Sequence, residues 1–225
     1  MNKKTYDLLE RFMLSCMKDS AHDKEHVYRV LYNALEIAKT EDNVDYDVLI
    51  GACILHDIGR KEQFENPELC HAMVGSEKAY QFLVEHGFEL GFAEQIKKCI
   101  QTHRYRNNNE PDSLEAKILF DADKLDATGT IGIARTLIYK GIVSEPIYSL
   151  LPNGLVSNGE NDEKPSFFQE YKYKLEKVYD NFYTSKGKEI ANQRKQSAIE
   201  FYNNLYEEVN ESYKYGREYL EDIIQ

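Results

Sequence analysis

Apolar residues recur every three or four positions along most of this chain, and strict two-residue alternation is nearly absent. The first such segment carries Leu9, Phe12, Met13 and Cys16 on one face. This spacing is typical of amphipathic helices, so the sequence predicts an all-α fold. Residues 48–55 differ because they are apolar all round, and this predicts a helix that is buried on every side.

The same periodicity predicts the following helices, in chain order: about 6–16, 26–37, 48–55, 71–86, 90–104, 113–127 with a looser continuation over 129–139, 166–183 and 186–210. Glycines and prolines interrupt the pattern between 141 and 165, and a loop of this length is usually functional or mobile. We therefore predict a helical core over residues 1–140, a loop over 141–165 that could act as a lid, and C-terminal helices over 166–225 that belong to the same domain. No secondary structure is predicted for the charged tail from Glu211.

Composition excludes several classes of protein. The 39 acidic residues outnumber the 28 Lys and Arg residues, and a net charge of -11 argues against a nucleic-acid binder. No apolar run approaches the roughly 20 residues of a membrane span, and the first residues lack the pattern of a signal peptide. The four cysteines are scattered, as in a reduced cytoplasmic protein. A small anionic substrate stays compatible with the charge, since a bound metal can reverse the local field.

The pair His56-Asp57 follows the buried helix directly. Burying a carboxylate is costly unless it is paired or bound to a metal. Two adjacent side chains point apart in a regular helix, but where a helix ends both can reach one cation. The alternative is that the pair is a polar helix cap.

A second polar cluster lies in an otherwise apolar helix. Asp121, Asp123 and Asp126 occur within six positions, and three such carboxylates repel one another unless cations or basic groups lie among them. One aspartate of this helix, together with His26 and the His56-Asp57 pair, would form a site of nitrogen and oxygen ligands. Such a ligand set suits Mn, Fe, Co, Zn, Ni or Mg.

The order of these motifs resembles the HD-domain superfamily of metal-dependent phosphohydrolases. Three segments carry the resemblance: His26-Val27-Tyr28-Arg29-Val30, Leu55-His56-Asp57-Ile58-Gly59-Arg60 and Ala122-Asp123-Lys124-Leu125. Further segments are similar to a small bacterial subgroup resembling nucleoside triphosphate pyrophosphohydrolases: residues 121–127, 132–136 and 146–148. The resemblance covers roughly residues 20–210.

The resemblance implies four metal ligands: His26, His56, Asp57 and Asp123. Three of them, His56, Asp57 and Asp123, would be the catalytic residues. Asp121 is the alternative for the last position, because two residues that lie two apart cannot share one face of a helix.

Six side chains beside the motifs are expected to bind substrate: Arg60, Lys61, His71, His103, Lys124 and Arg135. Several HD subgroups place histidines like His71 and His103 at the cleft, where they hold a second metal or contact phosphate. The alternative for both is an ordinary core or surface histidine. Arg104 is a further cationic candidate. The general base stays open among Glu77, Asp121 and Asp126, and a stacking residue for a nucleotide base among Tyr28, Tyr105 and Tyr148.

The resemblance implies a divalent-metal-dependent phosphohydrolase that acts on nucleotides. The most plausible reaction is the conversion of a nucleoside triphosphate to the monophosphate and pyrophosphate. Four alternatives remain open: a phosphomonoesterase, a phosphodiesterase, oxygen chemistry at a di-iron site, and a non-catalytic module that senses nucleotides. The expected partner is a small nucleotide or phosphoester, with no nucleic acid and no membrane. A homodimer is left open.

Overall fold

The computed structural model describes residues 1–17, 24–104 and 109–224. Within these ranges the chain is helical without a strand, and Leu150 and Val156 form an isolated β-bridge. The all-α prediction is confirmed. The helices are α1 (Lys3–Cys16), α2 (Lys24–Ala38), α3 (Tyr46–Leu55), α4 (Arg60–Glu65), α5 (His71–Glu85), α6 (Leu90–Thr102), α7 (Leu114–Leu125), α8 (Gly129–Ile142), α9 (Phe167–Tyr173) and α10 (Ser185–Ile223), with a 3₁₀ turn at Leu175–Lys177.

Local sequence explains where several helices begin. The Asp45 carboxylate accepts hydrogen bonds from the first backbone N–H groups of α3. The Ser113 hydroxyl accepts a hydrogen bond from the Ala116 N–H at the start of α7, and Ser166 caps α9 in the same way. Side-chain caps of this kind satisfy backbone donors that have no partner inside the helix.

The chain divides into two compact units, and the first comprises residues 1–126 and 182–187. Helix α3 lies at its centre and packs against α1, α2, α6 and α7. Its residues from Val48 to Leu55 are buried apart from Ile50, which confirms the buried helix expected from the sequence. The polar pair His56-Asp57 therefore leaves α3 in the interior of this unit.

The second unit comprises residues 127–181 and 188–225. Its core is built from these residues: Ile133, Val156, Phe167, Phe168, Tyr171, Leu175, Ala198 and Tyr202. Helix α8 belongs to this unit, and the domain bounds expected from the sequence stay a prediction. Packing is close at the start of α8, where Gly129 has a φ of 62° and a Cβ added there would lie 2.9 Å from the Cβ of Arg194 in α10.

Three elements differ from the predicted ones. Helix α4 was not predicted. The helix expected over 166–183 ends at Tyr173, because Lys174 leaves the helical conformation with a φ of -126° and a ψ of -57°. Further along, the Tyr179 hydroxyl accepts the Gly129 N–H at 3.0 Å. Helix α10 continues through the unassigned tail to Ile223.

The long loop is held by its own side chains. Both carboxylate oxygens of Asp162 accept hydrogen bonds at 2.6 Å, one from Ser149 and one from Ser157. The Gln169 amide donates to the Asp162 carbonyl at 2.7 Å, which ties the loop to α9. Its role as a lid stays a prediction. Among the described helices, none combines the length and the apolar character that a membrane crossing requires.

Candidate metal centre

Three helices of the first unit bring four predicted ligands together. His26 lies on the first turn of α2, His56 and Asp57 follow the last residue of α3, and Asp123 lies on the last turn of α7. The His26 Nε2 atom is 3.3 Å from His56 Nε2, 3.4 Å from Asp57 Oδ2 and 3.2 Å from Asp123 Oδ1. His56 Nε2 is 3.6 Å from Asp57 Oδ2 and 3.9 Å from Asp123 Oδ1.

Ligands that sit about 2.0–2.2 Å from a zinc-like ion are separated by roughly these distances. The four atoms therefore enclose a space of the size that one divalent cation fills. Two nitrogen and two oxygen donors suit the transition metals and Mg²⁺ without selecting among them.

A second cluster adjoins the first through Asp57. His71 begins α5 and His103 follows the last residue of α6. His71 Nε2 lies 3.4 Å from Asp57 Oδ1 and 3.3 Å from His103 Nε2, and His103 Nε2 lies 3.7 Å from the same carboxylate oxygen. Each cluster offers at least three ligand atoms, so the two oxygens of Asp57 face two neighbouring positions for a metal.

The outer nitrogen of each histidine is held by a hydrogen-bond acceptor. The four contacts are His26 Nδ1 with Asp126 Oδ2 at 2.7 Å, His56 Nδ1 with the Cys53 carbonyl at 2.7 Å, His103 Nδ1 with the Ile100 carbonyl at 2.6 Å, and His71 Nδ1 with Gln63 Oε1 at 2.5 Å. A ring that donates through Nδ1 presents the Nε2 lone pair on its other side. This is how proteins orient metal-binding imidazoles.

The Asp57 carboxylate provides the test of whether a metal fits. It is buried, and among the described residues neither of its oxygens has a hydrogen-bond donor in acceptable geometry. Leaving a buried polar group unsatisfied costs free energy, more so when it is charged. One cation in each cluster would satisfy both oxygens, so the residues fit a divalent metal.

The histidines of the cluster differ in protonation. Burial opposes the charged form of His26, but its close contacts with the carboxylates of Asp123, Asp126 and Asp57 outweigh burial and raise its pKa to about 10. Burial lowers the pKa of His71 to about 2 and that of His103 to about 4. His71 and His103 are therefore neutral at pH 7, whereas His26 carries a proton that competes with a metal.

Both carboxylates of the centre remain ionised. Burial would raise the pKa of Asp57, but the nearby Arg60 and histidine charges hold that pKa well below its usual range. The pKa of Asp123 is likewise lowered, since the hydrogen bond and charge of His26 outweigh burial. Ionised oxygens are the form that a hard cation binds.

Two arginines border the centre. Arg60 Nε lies 2.9 Å from Asp57 Oδ1, and its side chain is 20% exposed. Arg104 Nη1 lies 3.1 Å from His71 Nδ1, which donates to Gln63 and so does not also accept a hydrogen bond from the arginine. These are the predicted cationic side chains that the structure brings to the ligands.

The structure separates the two aspartates that the sequence left as alternatives. Asp123 faces the histidines, whereas Asp121 accepts hydrogen bonds from the backbone N–H groups of Tyr183 and Thr184 at 2.9 and 2.7 Å and from the Thr184 hydroxyl. Asp121 therefore supports the chain that leads into α10.

Other predicted site residues make contacts elsewhere. Lys61 lies 4.0 Å from Glu65, and the Lys124 ammonium lies over the rings of Phe120 and Phe182 at 5.6 and 4.9 Å from their centroids. Arg135 lies on α8 in the second unit.

The candidates for the general base and for stacking on a nucleotide base also make contacts with other residues. Glu77 pairs with Lys97 at 2.7 Å, and Asp126 holds the outer nitrogen of His26. The Tyr28 hydroxyl donates to Glu10 at 2.9 Å. Tyr148 packs against Tyr213 in the second unit. Tyr105 lies outside the described residues.

Two supporting residues were not identified from the sequence. Gln63 holds His71, and Arg29 binds the carboxylate of Asp126 through Nε and Nη2 at 2.8 and 3.1 Å.

The sequence contains a weak signal for the acceptors that hold His56 and His103. Each of these histidines directly follows a helix, and its Nδ1 contacts the backbone carbonyl three residues earlier. Carbonyls in the last turn lack partners inside the helix and therefore attract such donors.

Comparison with known families matches residues 24–128 to the HD domain family. The relative YpgQ of Bacillus subtilis is 26% identical over 196 residues, which cover 85% of this chain and 86% of YpgQ. The crystal structure of YpgQ in complex with ADP superposes with a TM-score of 0.68 at 22% identity and covers 89% of this chain and 97% of that one.

Two further solved structures are similar. A predicted HD superfamily hydrolase from an uncultured Thermotogales bacterium is 28% identical, with a TM-score of 0.59 over 89% of this chain and 90% of its own. An HD-superfamily hydrolase from Bacillus thuringiensis is 26% identical, with a TM-score of 0.69 over 92% of this chain and 98% of its own. The residues of the candidate metal centre that the structure describes all lie within the matched range 24–128.

Proposed function

We propose that this chain, whose residues 24–128 match the HD domain family, is a divalent-metal-dependent phosphohydrolase that acts on nucleotides. The observation that carries the proposal is the convergence of four side chains: the Nε2 atoms of His26 and His56 each lie 3.2–3.9 Å from the other Nε2 and from a carboxylate oxygen of both Asp57 and Asp123. Among the described residues, both Asp57 oxygens also lack a hydrogen-bond donor in acceptable geometry, and a bound cation would satisfy them.

A bound divalent ion lowers the pKa of water and offsets the negative charge of a phosphate. The protein contributes the remaining parts. Asp57 and Asp123 stay ionised as ligands, and the four histidines are held with Nε2 inward. His71 and His103, which are neutral at pH 7, would complete a second metal position or contact a phosphate oxygen.

The cationic side chains indicate how an anionic substrate would be oriented. Arg60 and Arg104 lie beside the ligand clusters, and a guanidinium can grip phosphate oxygens through two parallel hydrogen bonds. They would hold the phosphates that do not react. The structure of YpgQ with ADP supports a nucleotide as the ligand class. The reaction we expect is conversion of a nucleoside triphosphate to monophosphate and pyrophosphate, with phosphomonoesters and phosphodiesters of nucleotides as the alternatives.

The test is a screen of nucleotides and phosphoesters with Mn, Co, Ni, Fe, Zn or Mg, in which product analysis separates pyrophosphate from orthophosphate. Asp123→Asn should lower turnover about 100-fold or more, because it removes an ionised metal ligand. Asp42→Asn is the matched control, since the same substitution at an exposed residue of the first unit leaves the ligand set intact. Turnover that persists with a chelator present, or equal loss in both variants, would contradict the proposal.

One observation favours a second function. Two clusters that share Asp57 and include four histidines also suit oxygen chemistry at a pair of iron ions. Iron content and an absorption band in the purified protein, together with no phosphoester hydrolysis under any metal, would favour that function over the first.

A further inference from the structure

A short turn carries two of the predicted metal ligands. It comprises residues 56–59, between the end of α3 and the start of α4, and we call it the ligand turn. Its first backbone hydrogen bond, from the Ile58 N–H to the Leu55 carbonyl, measures 3.4 Å, whereas such bonds in proteins usually measure about 2.7–3.2 Å. This local bond is weak, so the direction of the Asp57 carboxylate depends on what holds the turn from outside.

Helix α5 packs against the ligand turn along one face. His71, Gly75 and Lys78 are spaced four and three residues apart, which places them on the same side of the helix. His71 Nε2 lies 3.4 Å from Asp57 Oδ1, and a Cβ added at Gly75 would lie 3.1 Å from a backbone nitrogen of the turn. Lys78 makes the third contact, because its ammonium donates to the Ile58 carbonyl at 3.0 Å.

The chemistry of the Lys78 contact makes it a strong one. Ile58 is 1% exposed, and a backbone carbonyl in the interior is costly to leave without a donor. The donor is charged, and charge-assisted hydrogen bonds are roughly twice as strong as neutral ones. The same ammonium donates to the Glu62 carboxylate of α4 at 2.6 Å. One side chain of α5 thus joins the ligand turn to the helix that follows it.

We propose that Lys78 is a positioning residue of the metal centre: its ammonium fixes the ligand turn through the Ile58 carbonyl and so orients the Asp57 carboxylate toward both metal positions. This role rests on the metal centre of the proposed function, but it can be observed without turnover. Because Asp57 faces both ligand clusters, loss of the Lys78 donor should weaken metal binding at both.

Titration of the full chain with Mn²⁺, in which the paramagnetic resonance signal of the unbound ion is measured, tests this role. Lys78→Met keeps most of the side-chain length and removes the donor. It should raise the Mn²⁺ Kd about tenfold or more, the effect typical of losing a group that orients a metal ligand. Lys78→Arg keeps a charged donor and should restore most of the affinity.

Lys97→Met is the matched control. Lys97 also pairs with a glutamate, Glu77, at 2.7 Å, and its side chain is 20% exposed against 30% for Lys78. The substitution removes the same charge from an ion pair that does not involve the ligand turn. Its Mn²⁺ Kd should therefore equal that of the wild type.

Glu62→Gln separates the two contacts of Lys78. It removes the charge of the pair on α4 but leaves the hydrogen bond to the Ile58 carbonyl, so the Mn²⁺ Kd should stay close to that of the wild type. An unchanged Kd in Lys78→Met would overturn the proposal. Equal losses in Lys78→Met and Glu62→Gln would also overturn it, since the ion pair would then account for the effect.

Circular dichroism in the presence of a chelator shows whether each variant folds. If Lys78→Met does not fold, Lys78→Gln takes its place with the same expected loss, because its amide nitrogen ends one atom short of the lysine nitrogen. A wild type that binds Mn²⁺ but hydrolyses no nucleotide would contradict the proposed function and leave the role of Lys78 intact. A wild type without affinity for Mn²⁺ would overturn both.

Discussion

His26 is the residue at which protons and metal compete most directly. Its ring lies between Asp57, Asp123 and Asp126, and these three carboxylates raise its pKa to about 10 although burial opposes the charge. The ring of His71 has the opposite character, since burial lowers its pKa to about 2. Two imidazoles of one centre thus differ in protonation because different charges surround them.

Metal binding at pH 7 should therefore release close to one proton, chiefly from His26. Because the pKa of His26 is raised, its proton is bound throughout the range below pH 10, and the metal must displace it there. The apparent metal affinity should rise about tenfold per pH unit between pH 6 and pH 9. Isothermal calorimetry in buffers of different ionisation enthalpy measures the released protons. An affinity that does not change with pH would contradict this assignment.

Asp126 would act on a bound metal through His26 rather than by binding it. Its carboxylate accepts the Nδ1–H group of His26 and is itself held by Arg29. Asp126→Ala should weaken metal binding about 10–100-fold, the effect typical of a partner that orients a metal ligand. Glu77→Ala is the matched control, because it removes an equal charge from a carboxylate that pairs with Lys97. Metal titration of both variants should show a loss in the first alone.

At the scale of elements, one glycine sets how closely the end of α3 approaches α5. Gly59 follows the His56-Asp57 pair, and a Cβ added there would lie 2.4 Å from the His71 carbonyl and 2.6 Å from the Gly75 nitrogen. Both contacts are backbone atoms, which cannot rotate away. The helix that carries His71 is thereby held next to Asp57.

Gly59→Ala should destabilise the first unit by about 2 kcal/mol or more and weaken metal binding, because α5 must move away from Asp57. Gly91→Ala in α6 serves as control, since a Cβ there meets nothing within 4 Å. That variant should unfold at the same temperature as the wild type or slightly above it, as expected for alanine in place of glycine in a helix. Equal melting temperatures for the two variants would contradict the packing argument.

The elements also show why the sequence predicted the fold class well and the site less fully. Helical periodicity revealed the buried α3, because packing and period agree there. The helix expected over 166–183 ends at Tyr173 instead. The chain beyond it is held by the hydrogen bond from the Gly129 N–H to the Tyr179 hydroxyl, which joins residues 50 positions apart. No local pattern encodes such a contact. Gln63 and Arg29 could not be identified from the sequence for the same reason, since their contacts with His71 and Asp126 exist only in the folded structure.

On the scale of the whole molecule, the two compact units differ in what stabilises them. The second unit has an aromatic core in which Tyr171 stacks on Tyr202 with ring centroids 4.1 Å apart. In the first unit, the ends of five helices meet at ionised or polar ligands, with Asp57 at the junction of the two clusters. A bound cation would cross-link those helix ends, so the stability of the first unit should depend on metal.

Removal of metal should therefore lower the unfolding temperature of the first unit and leave that of the second unchanged. A ligand present at a thousand times its Kd stabilises the folded state by about 4 kcal/mol, which corresponds to roughly 10 °C for a domain of this size. Calorimetry with and without chelator measures the shift. The Asp123→Asn variant should already melt at the lower temperature and should not respond to chelator. If the wild type melts identically in both conditions, the histidines and aspartates of the first unit are stable without a cation, and the metal centre is contradicted.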